Sequence, residues 1–311
     1  MPVFANTGIE RRYSCVPLEW YYAAHGWSDR NAIYRTSAVD LLEQAARQAL
    51  SNAHLEAEDV ATIVVVSTTG IATPSLDALL MQRMKFQPST QRLPIFGLGC
   101  VGGALGLARA ATMAQARPGS NVLFLVIELC ALWFRREEVT KSNIVATALF
   151  GDGAAAVVLS TDASGPAITD SGEYTFPNTL DIMGWDVADD GLAAIFSRDI
   201  PKLVQTQFRP VLDAYLDRQG RNRASVDRYL SHPGGTKVLA ALEEVFGLHD
   251  GDLVDSRSIL RDYGNMSAAT VIFVLERAMR EGAIHGTDWN HALLTAMGPG
   301  FTAAFVSLTR T

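Results

Sequence analysis

Twice along the chain, short β-branched and aliphatic runs alternate with stretches of helical spacing, and this duplication limits the fold more than any other feature. In the first half ATIVVVSTT (61–69), RLPIFGL (92–98), NVLFLVIEL (121–129) and AAAVVLS (154–160) read as strands covered on both faces. Between them SAVDLLEQAARQALSNA (37–53), LDALLMQRMKF (76–86) and VGGALGLARAATMAQA (101–116) carry apolar residues at helical intervals. The second half begins with AAIFSRD (193–199) and a helix over 200–219, with Pro201 in its first turn. DRYLSHPGG (227–235) then reads as a strand ending in a turn. TKVLAALEEVFGL (236–248) and MSAATVIFVLERAMREG (266–282) read as helices, and HALLTAMGPG (291–300) and FTAAFVSLTR (301–310) as two strands joined at a glycine-proline turn. The rhythm predicts an α/β layered fold with mostly parallel sheets. Gly165-Pro166 marks a seam between halves 1–164 and 165–311.

Length and composition narrow the function classes. The 311 residues suffice for two modest domains, and 48% hydrophobic against 19% charged residues excludes a disordered chain. A formal charge of -7 gives no electrostatic reason to expect nucleic acid, so an anionic substrate would need a local basic patch. Cys15, Cys100 and Cys130 are too few and too widely spaced for a disulfide framework or a zinc ligand set. The start MPVFANTGIERRYS is too polar for a signal peptide, and no apolar run is long enough to span a membrane. A cytoplasmic location is the expectation.

Three residues stand where chemistry is feasible. Cys100, in FGLGCVGGALGLARA (96–110), follows an apolar run and precedes a small-residue helix expected to begin at Val101 or Gly102. A helix N-terminus and a neighbouring imidazolium both favour a thiolate, and the surrounding glycines suit a tight turn. A buried core cysteine fits the same position. His232 ends a strand in SHPGG, where Pro233 and two glycines would hold the ring in a fixed direction; packing or capping is its alternative. Asn265, in YGNMSAA, stands at a helix start and could serve as an N-cap. The remaining histidines, His25, His54, His249, His285 and His291, lie in polar, loop-like contexts. Taken together, cysteine, histidine and asparagine at strand-to-helix junctions suit thioester chemistry.

The segments GLGCVGG, ALFGDGAAAVVL, MGWDVADDGL with FSRDIP, SHPGG, RDYGNMSAA and MGPGFT resemble, in order, the signature blocks of type III polyketide synthases, the chalcone synthase-like family. The resemblance runs over residues 7 to 311 and leans toward bacterial alkylpyrone and alkylresorcinol synthases. It implies a thiolase-like fold of two five-stranded α/β/α halves related by a pseudo-dyad, and a homodimer. It implies that Cys100 carries the acyl chain while His232 and Asn265 support loading from an acyl-CoA, decarboxylation of malonyl-CoA and condensation. No metal or redox cofactor is implied, only CoA thioesters as substrates. Phe150 matches the gatekeeper phenylalanine, and Gly298, Pro299 and Gly300 match a loop that shapes the site. Cys130, Trp133, Trp185 and Ser267 align with cavity walls.

Two departures from the family pattern carry further expectations. Family members have several tens of residues before the segment matching TGIERRY, including basic residues that contact CoA phosphates. Arg11, Arg12 and Lys237 remain as phosphate partners, with a solvated surface charge as the alternative for each, and weaker CoA binding is expected. Trp133 falls where relatives carry a small residue, so few extensions and a pyrone-type product are expected. For Trp133 and Trp185 a simple packing role is the alternative. A ketoacyl-acyl carrier protein synthase III-like enzyme shares the chemistry, but it has a histidine-glutamine-alanine-asparagine block where this chain has His232 to Gly235. An inactive relative acting as a binding partner is the other reading.

Overall fold

The computed structural model of the chain describes residues 4, 6–285 and 289–310, so part of the polar N-terminal stretch weighed above lies outside the described residues. In the first half β1 (Val60–Val66), β2 (Gln91–Ile95), β3 (Asn121–Leu129) and β4 (Asp152–Leu159) form one sheet in the order β2-β1-β3-β4. β1 lies parallel to β2 and β3, and β4 runs back antiparallel to β3, with Leu129 opposite Asp152. The central places fall to β1 and β3, whose uninterrupted apolar residues need cover on both faces.

Helices of this half are α1 (Trp27–Asn52), α2 (Leu76–Met81), α3 (Gly102–Ala116) and α4 (Lys141–Leu149). α1 begins ten residues before the stretch expected from spacing. The reason is Arg30, which is buried on the inward face and donates hydrogen bonds to the carbonyls of His25, Leu132 and Phe134; a buried arginine interrupts the apolar stripe. α2 is shorter than expected and turns away after Met81.

In the second half β5 (Ala167–Thr175), β8 (Arg228–Ser231), β9 (His291–Gly298) and β10 (Thr302–Thr309) form a sheet in the order β5-β10-β9-β8. Here β8 is parallel to β9, and β10 is antiparallel to both β9 and β5. The run β8-β9-β10 thus repeats β1-β3-β4. The fourth strand differs: β2 flanks β1 in one sheet and β5 flanks β10 in the other. Each main sheet has four strands among the described residues, where the resemblance implied five in each half. The edge of β4 carries no strand, and GLHDGDL (247–253) turns instead of extending beside β8.

β6 (Met183–Ala188) and β7 (Gly191–Phe196) form a separate antiparallel hairpin, so AAIFSRD belongs to neither main sheet. His291, expected in a loop-like context, opens β9 and is buried. The expected long helix is α5 (200–217), with a π-helical turn at Val204–Phe208 just before Pro210, which has no N–H to give a regular turn. It is followed by α6 (Thr236–Phe246), α7 (Val254–Tyr263) and α8 (Thr270–His285).

Three apolar clusters define five layers. α1 and α2 cover the outer face of the first sheet, through residues such as Leu42, Leu80 and Leu125. α3 and α8 lie between the sheets, in a cluster that joins Val66, Leu107, Val271 and Leu294. α5 and α6 cover the outer face of the second sheet around Phe208, Leu239 and Phe305. Glycines let the inner layer close up: a Cβ on Gly103 would stand 2.1 Å from the Ala268 carbonyl oxygen.

Candidate active site

Cys100 sits in a single 3-10 turn, Gly99–Val101, directly before α3. Gly99 has φ +50°, and a Cβ there would lie 2.6 Å from Pro299, so only glycine fits. Its N–H donates to Thr68 Oγ1 at 2.9 Å, which ties the turn to the end of β1. The Cys100 thiol is buried near the Ser267 and Asn265 side chains; burial pushes it up to about 12, and the polarity of those two side chains opposes the rise.

His232 extends β8 by one residue, with its N–H donating to the Thr295 carbonyl at 2.8 Å. Neither ring nitrogen has a hydrogen-bond partner although the residue is buried, and burial lowers the imidazole to about 3. Asn265 is held by backbone. Its N–H donates to Leu149 O at 2.9 Å and its carbonyl accepts from Gly151 at 3.0 Å, a bridge that locks Phe150 beside it. Its side-chain Oδ1 accepts from the Ser267 N–H at 2.8 Å, and Nδ2 is left without a partner. Asn265 therefore caps a local turn and not α8. Buried polar groups without partners cost about 1–3 kcal/mol each, so the His232 ring and Asn265 Nδ2 are groups whose bonding a ligand would complete.

Two cavities meet here. One of about 20 Å³ touches Cys100 and is walled by Gly99, Phe150, Trp185, Ser267 and Pro299. The other, about 540 Å³, runs from Cys130, Trp133 and Phe150 outward to Arg11, Arg12 and Tyr22. Phe150, Trp185 and Ala194 line both, with Phe150 and Trp185 ring centroids 6.0 Å apart. Gly298 packs on the Cys100 turn, where a Cβ would meet Val101 N at 2.6 Å; Gly300 follows with φ +69°.

The basic residues differ in situation. Arg12 donates to the carbonyls of Thr147 and Phe150, so its guanidinium ties the C-terminal end of α4 instead of standing free for a phosphate. Arg11 is exposed on the rim of the larger cavity and acts electrostatically on Asp262, while Lys237 is exposed in the first turn of α6 and lines neither cavity. Trp133 is wedged between Trp27 and Gly191, and its indole N–H donates to Thr69 O at 2.7 Å.

Sequence reasoning missed four residues. Thr68 anchors the Cys100 turn, and Thr270 closes the Asn265–Ser267 turn through bonds to Met266 N and Ser267 O. Ala194 completes the wall shared by the cavities. Glu128, fully buried, accepts from Thr68 and Thr69 N–H, and burial pushes it up to about 7. Only Thr68 had a local signal, as the hydroxyl-rich STT directly after a strand.

A buried cysteine beside the Asn265 carboxamide, in a duplicated α/β/α frame that also buries an unpartnered imidazole at His232, is the equipment of an acyl-transferring enzyme. The family models "Chalcone and stilbene synthases, N-terminal domain" and "C-terminal domain" match residues 18–163 and 168–310. The chain belongs to that family: it is a type III polyketide synthase with a thiolase-like fold, and an acyltransferase. A 1,3,6,8-tetrahydroxynaphthalene synthase of Streptomyces peucetius is 37% identical over 97% of this chain and 81% of its own length. The crystal structure of the Streptomyces coelicolor 1,3,6,8-tetrahydroxynaphthalene synthase, 29% identical, superimposes with a TM-score of 0.93 over 100% of this chain and 89% of that one. The structure of CsyB complexed with CoA-SH, 26% identical, gives 0.92 over 100% and 90%. No helix among the described residues is long and apolar enough to cross a membrane, and no group of three or more His, Cys, Asp or Glu among them could hold a metal ion.

Proposed function

We propose that Cys100 carries the growing chain in an iterative decarboxylative condensation of malonyl-CoA onto an acyl-CoA starter. The unpartnered nitrogens of buried His232 and Asn265 Nδ2 are the observation that supports this most. In loading, the thiol proton passes to His232 while Sγ attacks the thioester carbonyl. His232 and Asn265 donate to the resulting oxyanion, and the CoA thiolate leaves with the proton from His232. Malonyl-CoA then loses carbon dioxide beside Phe150, whose apolar face disfavours the carboxylate. The enolate, held by the same two donors, attacks the acyl carbon on Cys100; the new C–C bond forms as the C–S bond breaks.

CoA phosphates are assigned to Arg11 and Lys237, with Arg12 shaping the passage through Phe150. Cys130, Trp133, Trp185, Ser267 and the Gly298–Gly300 loop form the walls. The product is of pyrone or resorcinol type, the enzyme is a homodimer as the resemblance implies, and the three free cysteines suit the cytoplasm.

Incubation with a panel of acyl-CoAs plus malonyl-CoA, with products identified by mass spectrometry, tests this. Product from at least one starter and none from Cys100→Ala is expected; product from the alanine variant refutes the assignment. His232→Gln should slow Cys100 acylation about 10²–10⁴-fold and move its alkylation by iodoacetamide to higher pH. Trp133→Thr should lengthen the products, and an unchanged distribution removes Trp133 from the control of length.

A further inference from the structure

At the ends of the two sheets remote from Cys100, the halves repeat the same bonds around one residue that differs. Just past the outer helices α1 and α5 the chain closes alike, with Leu55 N–H on Leu50 O and Arg221 N–H on Leu216 O, each at 3.0 Å. A 3-10 turn follows in both, at Ala57–Asp59 and Arg223–Ser225. Asp59 and Ser225 each accept, through the side chain, from the N–H just before that turn. The residues that open β3 and β9 then reach back to it: Asn121 Nδ2 donates to Asp59 O, and His291 Nδ1 lies 3.1 Å from Ser225 O. In the first half the closing residue, Leu55, packs against the apolar core. The second half puts Arg221 in the same place, so folding alone does not require an arginine there.

Arg221 is half-buried and forms no ion pair among the described residues. With Thr169, Asp170, Arg218, Gln219 and Thr309 it lines a cleft of about 630 Å³. The Thr309 hydroxyl oxygen is buried there without a partner. His291, 3% exposed, stands directly opposite Thr309 on the same face of the sheet, and its Nε2 also lacks a partner. Burial, with Arg221 acting in the same sense, lowers this imidazole. The neutral ring therefore donates from Nδ1 to the Ser225 carbonyl and keeps a bare lone pair at Nε2. A bulge completes the lining. The register of β5 on β10 slips between Ser307 and Leu308, so the consecutive Thr169 and Asp170 both reach the cleft. Asp170 lies 3.9 Å from Arg218, which leaves the charge of Arg221 uncompensated.

We propose that this cleft binds a phosphate group, as inorganic phosphate or as a phosphomonoester. Arg221 and Arg218 hold its oxygens, and the Thr309 and Thr169 hydroxyls donate from the sheet. Guanidinium forks match phosphate oxygens, and a half-buried one is screened less than a surface charge. The remaining P–OH of a monoanion suits the lone pair at His291 Nε2. The site is separate from that of Cys100. Thr295, whose carbonyl holds His232, stands four residues or about 13 Å further along β9, and the cleft shares no lining residue with either cavity near Cys100.

Calorimetric titration with inorganic phosphate and with phenyl phosphate, in a chloride buffer free of sulfate, tests the site. One saturable site per chain, of about millimolar Kd or tighter, is expected for the wild type. Arg221→Leu installs the residue that the first half uses and should weaken binding about tenfold or more. Arg221→Lys, which keeps the charge and loses the fork, should fall between the two, and Thr309→Val should weaken binding severalfold. Phosphate should raise the melting midpoint of the wild type and leave that of Arg221→Leu unmoved. Tighter binding of phenyl phosphate, lost with Arg221, identifies a phosphomonoester whose body passes Arg218 into the adjoining groove at Tyr174 and Val211. Equal affinity identifies phosphate itself. No saturable binding of either probe up to about 10 mM, or a Kd in Arg221→Leu within about twofold of wild type, overturns the site. Should the leucine variant melt lower than wild type without phosphate, the lysine and valine variants decide by the same twofold criterion.

Discussion

Thr270 lines neither cavity, yet the geometry of Asn265, the proposed oxyanion donor, depends on it. Its hydroxyl accepts from Met266 N–H at 2.9 Å and donates to the Ser267 carbonyl at 2.8 Å, closing a turn in which Ser267 is held at φ +48°. A left-handed residue other than glycine costs about 1–2 kcal/mol, so the turn keeps this shape only while its bonds persist. The same turn seats the Ser267 N–H on Asn265 Oδ1 and so aims Nδ2 at the site. Thr270→Val keeps the volume and removes both bonds; kcat should fall about tenfold with KM little changed, and Thr270→Ser should restore it. Equal KM and kcat effects, or no rescue by serine, would make Thr270 merely structural. Cys100, His232 and Asn265 drew attention in the sequence because each stands beside glycine or proline in a motif, which is how a turn announces itself. Thr270 sits inside what reads as an ordinary helix, and its task appears only when the backbone it bridges is seen.

Among the elements, legibility followed burial. β1, β3 and β9 are buried along nearly their whole length and α3 through its first two turns, and sequence bounds and observed bounds agree within three residues. β5 was missed because AITDSGEYT is an edge strand with a half-exposed, polar face. α7 was missed because its inward residues include Asp255 and Ser256, satisfied by Arg228 and by the backbone of Ser231. The glycines around Cys100 read as suited to a tight turn, but the structure gives two glycines of α3 a packing task. A Cβ on Gly106 would meet Phe124 and Val66 at 2.6 Å, and one on Gly103 would enter the Ala268 carbonyl. Gly103→Ala should therefore destabilise the fold by about 2–3 kcal/mol in denaturant titrations. Gly26→Ser, at the N-cap of α1 with nothing within 4 Å, should change stability by no more than about 0.5 kcal/mol. If the two behave alike, the close approach of α3 to the Ser267–Ala269 turn is not what those glycines serve.

For the molecule as a whole, the duplication that was plain in the sequence places two buried carboxyls where the first sheet meets the site. Glu128, near the end of β3, and Asp152, at the start of β4, are pushed up by burial to about 7 and about 6, although each accepts two backbone N–H groups. Both folded values lie above the ordinary carboxylate range. Between about pH 4.5 and 7 the folded chain keeps protons that the unfolded chain has released, so their contribution to stability is full below that window and lost as pH rises through it. His232 works in the opposite sense. Its folded value near 3 lies below that of a free imidazole, so its contribution grows as pH rises and is complete above about 6.5. The two trends overlap, and the net melting curve does not separate them. A difference measurement does. Glu128→Gln keeps an acceptor for Thr68 and Thr69 and removes the titration, so its stability relative to wild type should improve by about 2 kcal/mol from pH 5 to pH 7.5. Denaturant titrations of both proteins at those two pH values give this quantity directly, and a difference that is flat or of opposite sign would mean that Glu128 is ionised in the folded enzyme at pH 5.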